Sequence, residues 1–322
     1  MPPTEARVLY RPEAAEDRFL PEGPRPIRLD DRDALIWVNI QTGADATSGA
    51  LHVRFWDEDE DETETWRLPG RPGFVLPTDR PGVVLVGMGK EVGTFDLDAG
   101  EWHRLATIPD DNPRTIINDA EVVPGGRAVV FGTKDVRFAD PTAALYLYTL
   151  GDDVVSLLAP GQTCSNGKVF ARYGGGLVLF DIDTPTKKVV RYRLDVGGRV
   201  AVPDGVALDL GREPGFPDGM RDGGEGTVIV AFYNPDPVPH GRAVRFDLTG
   251  GQAVAEWHTP GSPRVTCPCL VERPDGVKLV LTTATEGMPG DQEDDCPEAG
   301  SLFEADAGVS VAPPAEVVRF SP

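Results

Sequence analysis

The sequence predicts an all-β chain folded as one six-bladed β-propeller over residues 1–322, and three observations predict it. Helical periodicity is nearly absent, short β-branched or alternating runs recur between Gly, Pro and Asp-Gly turns, and one aromatic-centred strand type returns six times. The runs at 34–40, 83–87, 128–131, 228–232 and 277–283 read as strands because β-branched and aromatic side chains fit a pleated, buried surface.

The returning strand is centred on Phe55, Phe95, Tyr146, Tyr192, Phe246 and Phe303, at intervals of 40, 51, 46, 54 and 57 residues. Four-stranded propeller blades repeat every ~40–50 residues, so six copies imply six blades. A ring also needs closing, because an unpaired edge strand is a template for aggregation. The strand-like ends Val8-Leu-Tyr10 and Val317-Val-Arg-Phe320 are expected to pair with one another and close it.

Charge narrows the function. Lys and Arg number 31 against 52 Asp and Glu, a formal net charge of -21, which repels phosphate backbones and anionic membrane surfaces. Nucleic acid and membrane are not expected partners. The N-terminus has no basic stretch followed by an apolar run and no window reaches the length of a membrane span, so a cytoplasmic location is expected. The acidic run at 57–62 reads as a solvated surface loop. Cys164, Cys267, Cys269 and Cys296 are too few and too scattered for a disulfide framework, and Cys267-Pro-Cys269 lacks the CxxC spacing of redox and zinc motifs. All four are expected to be reduced and buried as small apolar groups. Four histidines fit no HExxH pattern and no Gly-x-Ser-x-Gly elbow is present, which disfavours a zincin or a serine hydrolase.

One set of polar residues keeps the blade period. Glu22, Asn118, Asn166 and Asp218 are separated by 96, 48 and 52 residues, Thr266 follows after another 48, and each precedes its blade's aromatic anchor by 26 to 37 residues. A shared phase places them around one axis. Asn-Gly and Asp-Gly are also ordinary turn signals, as at Pro203-Asp-Gly205; what singles these out is their register. A carboxylate, two amides and a second carboxylate suit a hard cation such as Ca²⁺, Mg²⁺ or Mn²⁺, while carboxylate oxygen also holds Zn²⁺ or Fe²⁺.

These residues lie in segments that resemble the senescence marker protein (regucalcin), gluconolactonase and luciferin-regenerating enzyme family of six-bladed propellers, over nearly the whole chain. The most specific stretch is Pro217-Asp-Gly-Met220 with Asp222, Gly223 and Val230-Ala-Phe-Tyr-Asn234. Glu22-Gly-Pro24, Asn118-Asp119, Ser165-Asn-Gly167, Ile182-Asp-Thr184, Arg264-Val-Thr266 and Glu298-Ala-Gly300 support it. The resemblance implies that Glu22, Asn166 and Asp218 hold one divalent cation, Ca²⁺ foremost. It further implies that Asn118, supported by Asp119, contacts substrate or completes the metal shell, and that the reaction is hydrolysis of sugar lactones with Asp218 as general base.

Departures from the family pattern shape the remaining expectations. Ile116 stands where the family carries Arg, leaving Arg114 as the candidate to orient substrate. Lys168 follows Asn166-Gly167 in place of an apolar residue and is expected to bring positive charge to the pocket, favouring an acidic or heavily hydroxylated lactone. Leu270-Val-Glu272 and Ile229 mark a divergent subgroup. Phosphotriester or aryl ester hydrolysis on the same metal, or calcium binding without turnover, are the alternatives; oligomeric state is not readable from sequence.

Overall fold

The computed structural model describes residues 2–56 and 62–320. The acidic run at 57–62, apart from Glu62, therefore lies outside the described residues. The chain is a six-bladed β-propeller, and its blades occupy residues 21–67, 72–107, 115–162, 165–209, 216–260 and 265–306, called blades 1 to 6 below. Each is an antiparallel meander whose first strand lies innermost: Pro21–Leu29, Pro72–Pro77, Thr115–Val122, Ser165–Tyr173, Phe216–Gly224 and Val265–Arg273. Among the described residues no helix is long and apolar enough to cross a membrane.

The six aromatic anchors all lie on the third strand of their blades, between 1% and 8% exposed. They pack into apolar layers between neighbouring blades. Between blades 2 and 3, for example, Phe74, Leu76, Ile117, Val129, Phe131 and Tyr146 form one cluster, with the Phe131 and Tyr146 rings stacked at 5.6 Å. Burying such a side chain is worth about 1.5–3 kcal/mol, so each repeat supplies its own share of the blade contacts.

Ring closure differs from the expectation. Arg7–Tyr10 adds antiparallel to Leu302–Asp306 as the outer strand of blade 6, and Thr4–Glu5 adds parallel to Ala253–Pro260 at the edge of blade 5. Val318 instead bridges Thr78 of blade 2, with backbone hydrogen bonds to Pro77 and Asp79. The edge left open by three-stranded blade 6 is filled by the N-terminal strand. The C-terminal tail carries Pro313 and Pro314, which lack ladder donors, and has no strand in its path.

A feature of the inner strands positions the site. In five blades the register breaks at one place: between Glu22 and Arg25, Ile117 and Ala120, Ser165 and Lys168, Pro217 and Met220, and Val265 and Pro268. Each break is a β-bulge, which leaves residues out of the ladder and re-aims their side chains. At these breaks stand Glu22, Asn118, Asn166, Asp218 and Thr266, followed by Gly23, Asp119, Gly167, Gly219 and Cys267; both residues leave the ladder in four blades, while in blade 1 Glu22 still pairs with Val38 and Gly23 and Pro24 leave it. Glycine is required at two positions of the second set, since a Cβ on Gly167 would stand 2.2 Å from the Met220 nitrogen and one on Gly219 2.5 Å from Cys267 Sγ.

Candidate metal and active site

Glu22, Asn118, Asn166 and Asp218, no more than 9% exposed, line one cavity of about 670 Å³. The blade period has therefore brought together four side chains from four different inner strands. Thr266, the fifth residue in register, donates instead to the Pro21 carbonyl at 2.6 Å and serves the contact between blades 6 and 1.

The orientation of the two amides follows from their hydrogen bonds. The Thr184 hydroxyl donates to the Pro217 carbonyl at 2.9 Å, so it can only accept from Asn166 Nδ2, at 2.7 Å. That fixes Asn166 Oδ1 on the other side, where it accepts from Asn118 Nδ2 at 2.8 Å. Asn118 Nδ2 also donates to the Ser165 carbonyl at 3.0 Å. Its own Oδ1 has no hydrogen-bond partner among the described residues and is left for a ligand. Asp183 anchors the approach to this strand by accepting from the Thr163 and Cys164 amides at 3.0 and 2.9 Å.

The carboxylates are under-compensated. Glu22 accepts one hydrogen bond, from the Gly23 amide at 2.8 Å, and Asp218 accepts none among the described residues. Burial, followed by the repulsion of Asp119, pushes Glu22 up to about 8. Burial, then Glu22 and Asp119, holds Asp218 well above the usual carboxylate range. Asp119 does not line the cavity, and its buried Oδ2 has no partner among the described residues. A buried carboxylate without a partner costs several kcal/mol, and a bound cation removes that cost. The donor set thus fits a divalent metal, with Glu22, Asn166 and Asp218 as the residues facing the cavity that would hold it.

Two sequence expectations are placed elsewhere. Arg114 is clamped by Asp135 through Nε at 3.1 Å and by Asp140 at 2.8 Å and does not line the cavity. Asp135 is held far below its ordinary range by that guanidinium. Lys168 is fully buried, donating to the Asn166 carbonyl at 2.6 Å and to Ser165 Oγ at 2.9 Å, and it pairs with Asp181 at 3.1 Å. Two residues beyond Asn166 on the same inner strand, it faces a separate cavity of about 270 Å³ with Arg25, Glu121, Arg221 and the C-terminal tail.

The positive charge in the main cavity comes from two groups that sequence reasoning missed. Lys134 is 9% exposed, pairs in register with Ile116, acts on both Glu22 and Asp218, and has no side-chain partner among the described residues. Arg71 reaches the cavity from the connection between blades 1 and 2. The signal for Lys134 lay in the ladder, because the residue paired with Ile116 inherits the position beside the missing arginine. Arg264 was missed in another sense: its guanidinium donates to the Glu286 and Gly287 carbonyls at 2.7 and 3.2 Å and so holds one wall of the cavity. All four cysteines are free and buried, as expected, yet Cys164 lines the cavity and Cys267 lies by Glu22 and Asp119.

Comparison with known proteins identifies relatives of the chain and of its fold. The chain is 32% identical over 284 residues to a putative sugar lactone lactonase, YvrE, of Bacillus subtilis, covering 88% of this chain and 90% of that one. It is 30% identical over 296 residues to an L-arabinolactonase of Azospirillum brasilense, covering 88% of each. The fold is shared with the calcium-binding regucalcin of Agrobacterium tumefaciens, at a TM-score of 0.78 and 23% identity over 98% of this chain and 97% of that one. A model of the SMP-30/gluconolactonase/LRE-like region matches residues 20–285. With that match covering blades 1 to 5, the first two strands of blade 6 and all four cavity residues, the chain belongs to the SMP-30/gluconolactonase/LRE-like family.

Proposed function

We propose that this protein is a divalent-metal-dependent hydrolase of sugar lactones, with Glu22, Asn166 and Asp218 as the metal ligands and Ca²⁺ as the cation. The observation that carries the proposal is the convergence of two under-compensated buried carboxylates and two oriented amides on one cavity. The lactonase relatives supply the substrate class, and the oxygen-only donor set together with the calcium-binding regucalcin neighbour favours Ca²⁺.

A cation held there supplies Lewis-acid polarisation of the lactone carbonyl. Asp218 takes a proton from the attacking water, which requires its carboxyl to be ionised first. Asn118 offers its free Oδ1 to a substrate hydroxyl, since its Nδ2 is already committed to Asn166 and Ser165. Lys134 Nζ supplies a hydrogen-bond donor for a substrate oxygen. At the mouth, Phe138 and Phe216 offer apolar faces to the sugar ring and limit water entry.

The test is to strip the protein with chelator and follow proton release from L-arabinono- and D-gluconolactone after adding Ca²⁺, Mn²⁺, Mg²⁺, Zn²⁺ or Fe²⁺, beside Asp218→Ala. Turnover restored by one metal and lost in the variant is the expected result. Binding of metal without turnover of any lactone, aryl ester or phosphotriester sinks the enzyme reading and leaves a calcium-binding propeller.

A further inference from the structure

The residues at the five inner-strand bulges form two successive sets, and only members of the first, Glu22, Asn118, Asn166 and Asp218, line the cavity. In the second set three blades carry glycine, while blades 3 and 6 carry Asp119 and Cys267. These two side chains converge with Glu22: two carboxylate oxygens and the Cys267 Sγ all lie within 4.8 Å of one another. All three residues are buried, with Cys267 fully enclosed. Asp119 Oδ2 is buried with no hydrogen-bond partner among the described residues, and among those residues the Cys267 thiol has only a weak contact, to the Pro268 carbonyl at 3.6 Å. Room for the sulfur exists because blade 5 has Gly219 where a Cβ would meet it at 2.5 Å.

We propose that Glu22, Asp119 and Cys267 form a second cation position, sharing Glu22 with the cavity, that takes a thiophilic divalent ion such as Zn²⁺ or Co²⁺ in preference to Ca²⁺. Two carboxylates and one sulfur are three ligands, the number that four-coordinate zinc sites use when one position stays open. Calcium asks for six to eight oxygens, and a thiolate is too soft a donor for it. On binding, the Cys267 S–H bond breaks, its proton leaves to solvent, and an S–metal bond forms with no change of oxidation state. Among the described residues this is the only cluster of three or more His, Cys, Asp or Glu side chains with metal-binding spacing.

The test reads the sulfur directly. Metal-stripped full-length protein is titrated with Co²⁺, and the near-ultraviolet thiolate-to-cobalt charge-transfer band is followed in wild type, Cys267→Ser, Cys164→Ser and Asp119→Asn. The expected result is one band per chain, absent in Cys267→Ser and kept in Cys164→Ser, displaced by Zn²⁺ and not by excess Ca²⁺. Asp119→Asn, which preserves shape, should weaken Co²⁺ binding by at least the roughly 10-fold that even outer partners of a metal site cost. No band in the wild type, or a band that survives Cys267→Ser and disappears in Cys164→Ser, overturns the inference. Because the readout is spectroscopic, either outcome leaves the lactonase assay to be judged on its own result.

Discussion

Asn118 Nδ2 donates to Asn166 Oδ1 across 2.8 Å, joining the inner strands of blades 3 and 4 at the cavity. The bond is directional only because Thr184 holds the far end of the Asn166 amide. Thr184→Val keeps the shape of the side chain and removes the hydroxyl that both accepts from Asn166 and donates to Pro217. Metal affinity is expected to fall by about 10- to 100-fold, the usual effect of removing an outer partner. Calorimetric titration with Ca²⁺ measures it, and an unchanged affinity would show that Asn166 needs no such support.

The raised carboxyls give the metal-free protein a distinctive pH response. A carboxyl raised in the folded state contributes stability that is complete below its unfolded value and lost as pH rises through the folded one. For Glu22 that window runs from about 4.5 to about 8, and Asp218 adds to it in the same direction. His52, lowered by burial to about 4 from 6.5, acts oppositely, losing stability as pH falls through that range. The difference in Tm between chelated and Ca²⁺-saturated protein cancels His52 and isolates the carboxylates. That difference is expected to grow steadily from pH 5 to pH 8; a flat difference would contradict the assignment of these carboxyls as ligands.

Arg114 and Lys134 make opposite predictions. Arg114 is committed to Asp135 and Asp140, so Arg114→Ala should lower Tm while changing KM for a lactone by no more than about twofold, as expected of a change away from the site. Lys134 faces the cavity without a partner among the described residues, so Lys134→Met should raise KM by about 10-fold or more, the worth of one charge-assisted hydrogen bond. Steady-state kinetics with the two variants side by side decides which cation meets the substrate. The reverse pattern would restore Arg114 to the role read from the sequence.

The blade count and the four cavity residues were legible because both are periodic: aromatic anchors mark each third strand, and Glu22, Asn118, Asn166 and Asp218 keep one phase. What was not legible depends on a change of phase. Asp119 and Cys267 follow the first set by one residue, and only the bulge, which suspends alternation, turns consecutive side chains inward. Lys168 misled for the converse reason. Lying past its bulge, it returns to the ladder opposite Asp181 and pairs with it, while Lys134 takes the place beside Ile116 through cross-strand pairing, which linear spacing does not display.

The closing strand was half read, and its removal is a sharp test of how the ring is held. Arg7–Tyr10 pairs with Leu302–Asp306, and Arg7 adds an ion pair to Glu304 at 2.6 Å. Arg7 is 79% exposed at its side chain, so the ion pair itself contributes little and Arg7→Ala should leave Tm nearly unchanged. Deleting residues 1–10 does something different. It uncovers the edge of a strand whose Leu302 and Phe303 are at most 1% exposed, and it removes Tyr10 from its edge contact with Trp37 of blade 1 at 6.0 Å. An open edge beside a hydrophobic layer favours pairing with a second chain. The truncated protein is expected to melt at lower temperature and to form concentration-dependent oligomers by light scattering, whereas deletion of residues 317–322, which removes the Val318 bridge to Thr78 and the hydrogen bonds of Arg319 and Phe320 to Gly126, Arg127 and Asp79 but uncovers no blade edge, should leave it monodisperse relative to the parent. If both deletions behave alike, the N-terminal strand is not what closes the ring.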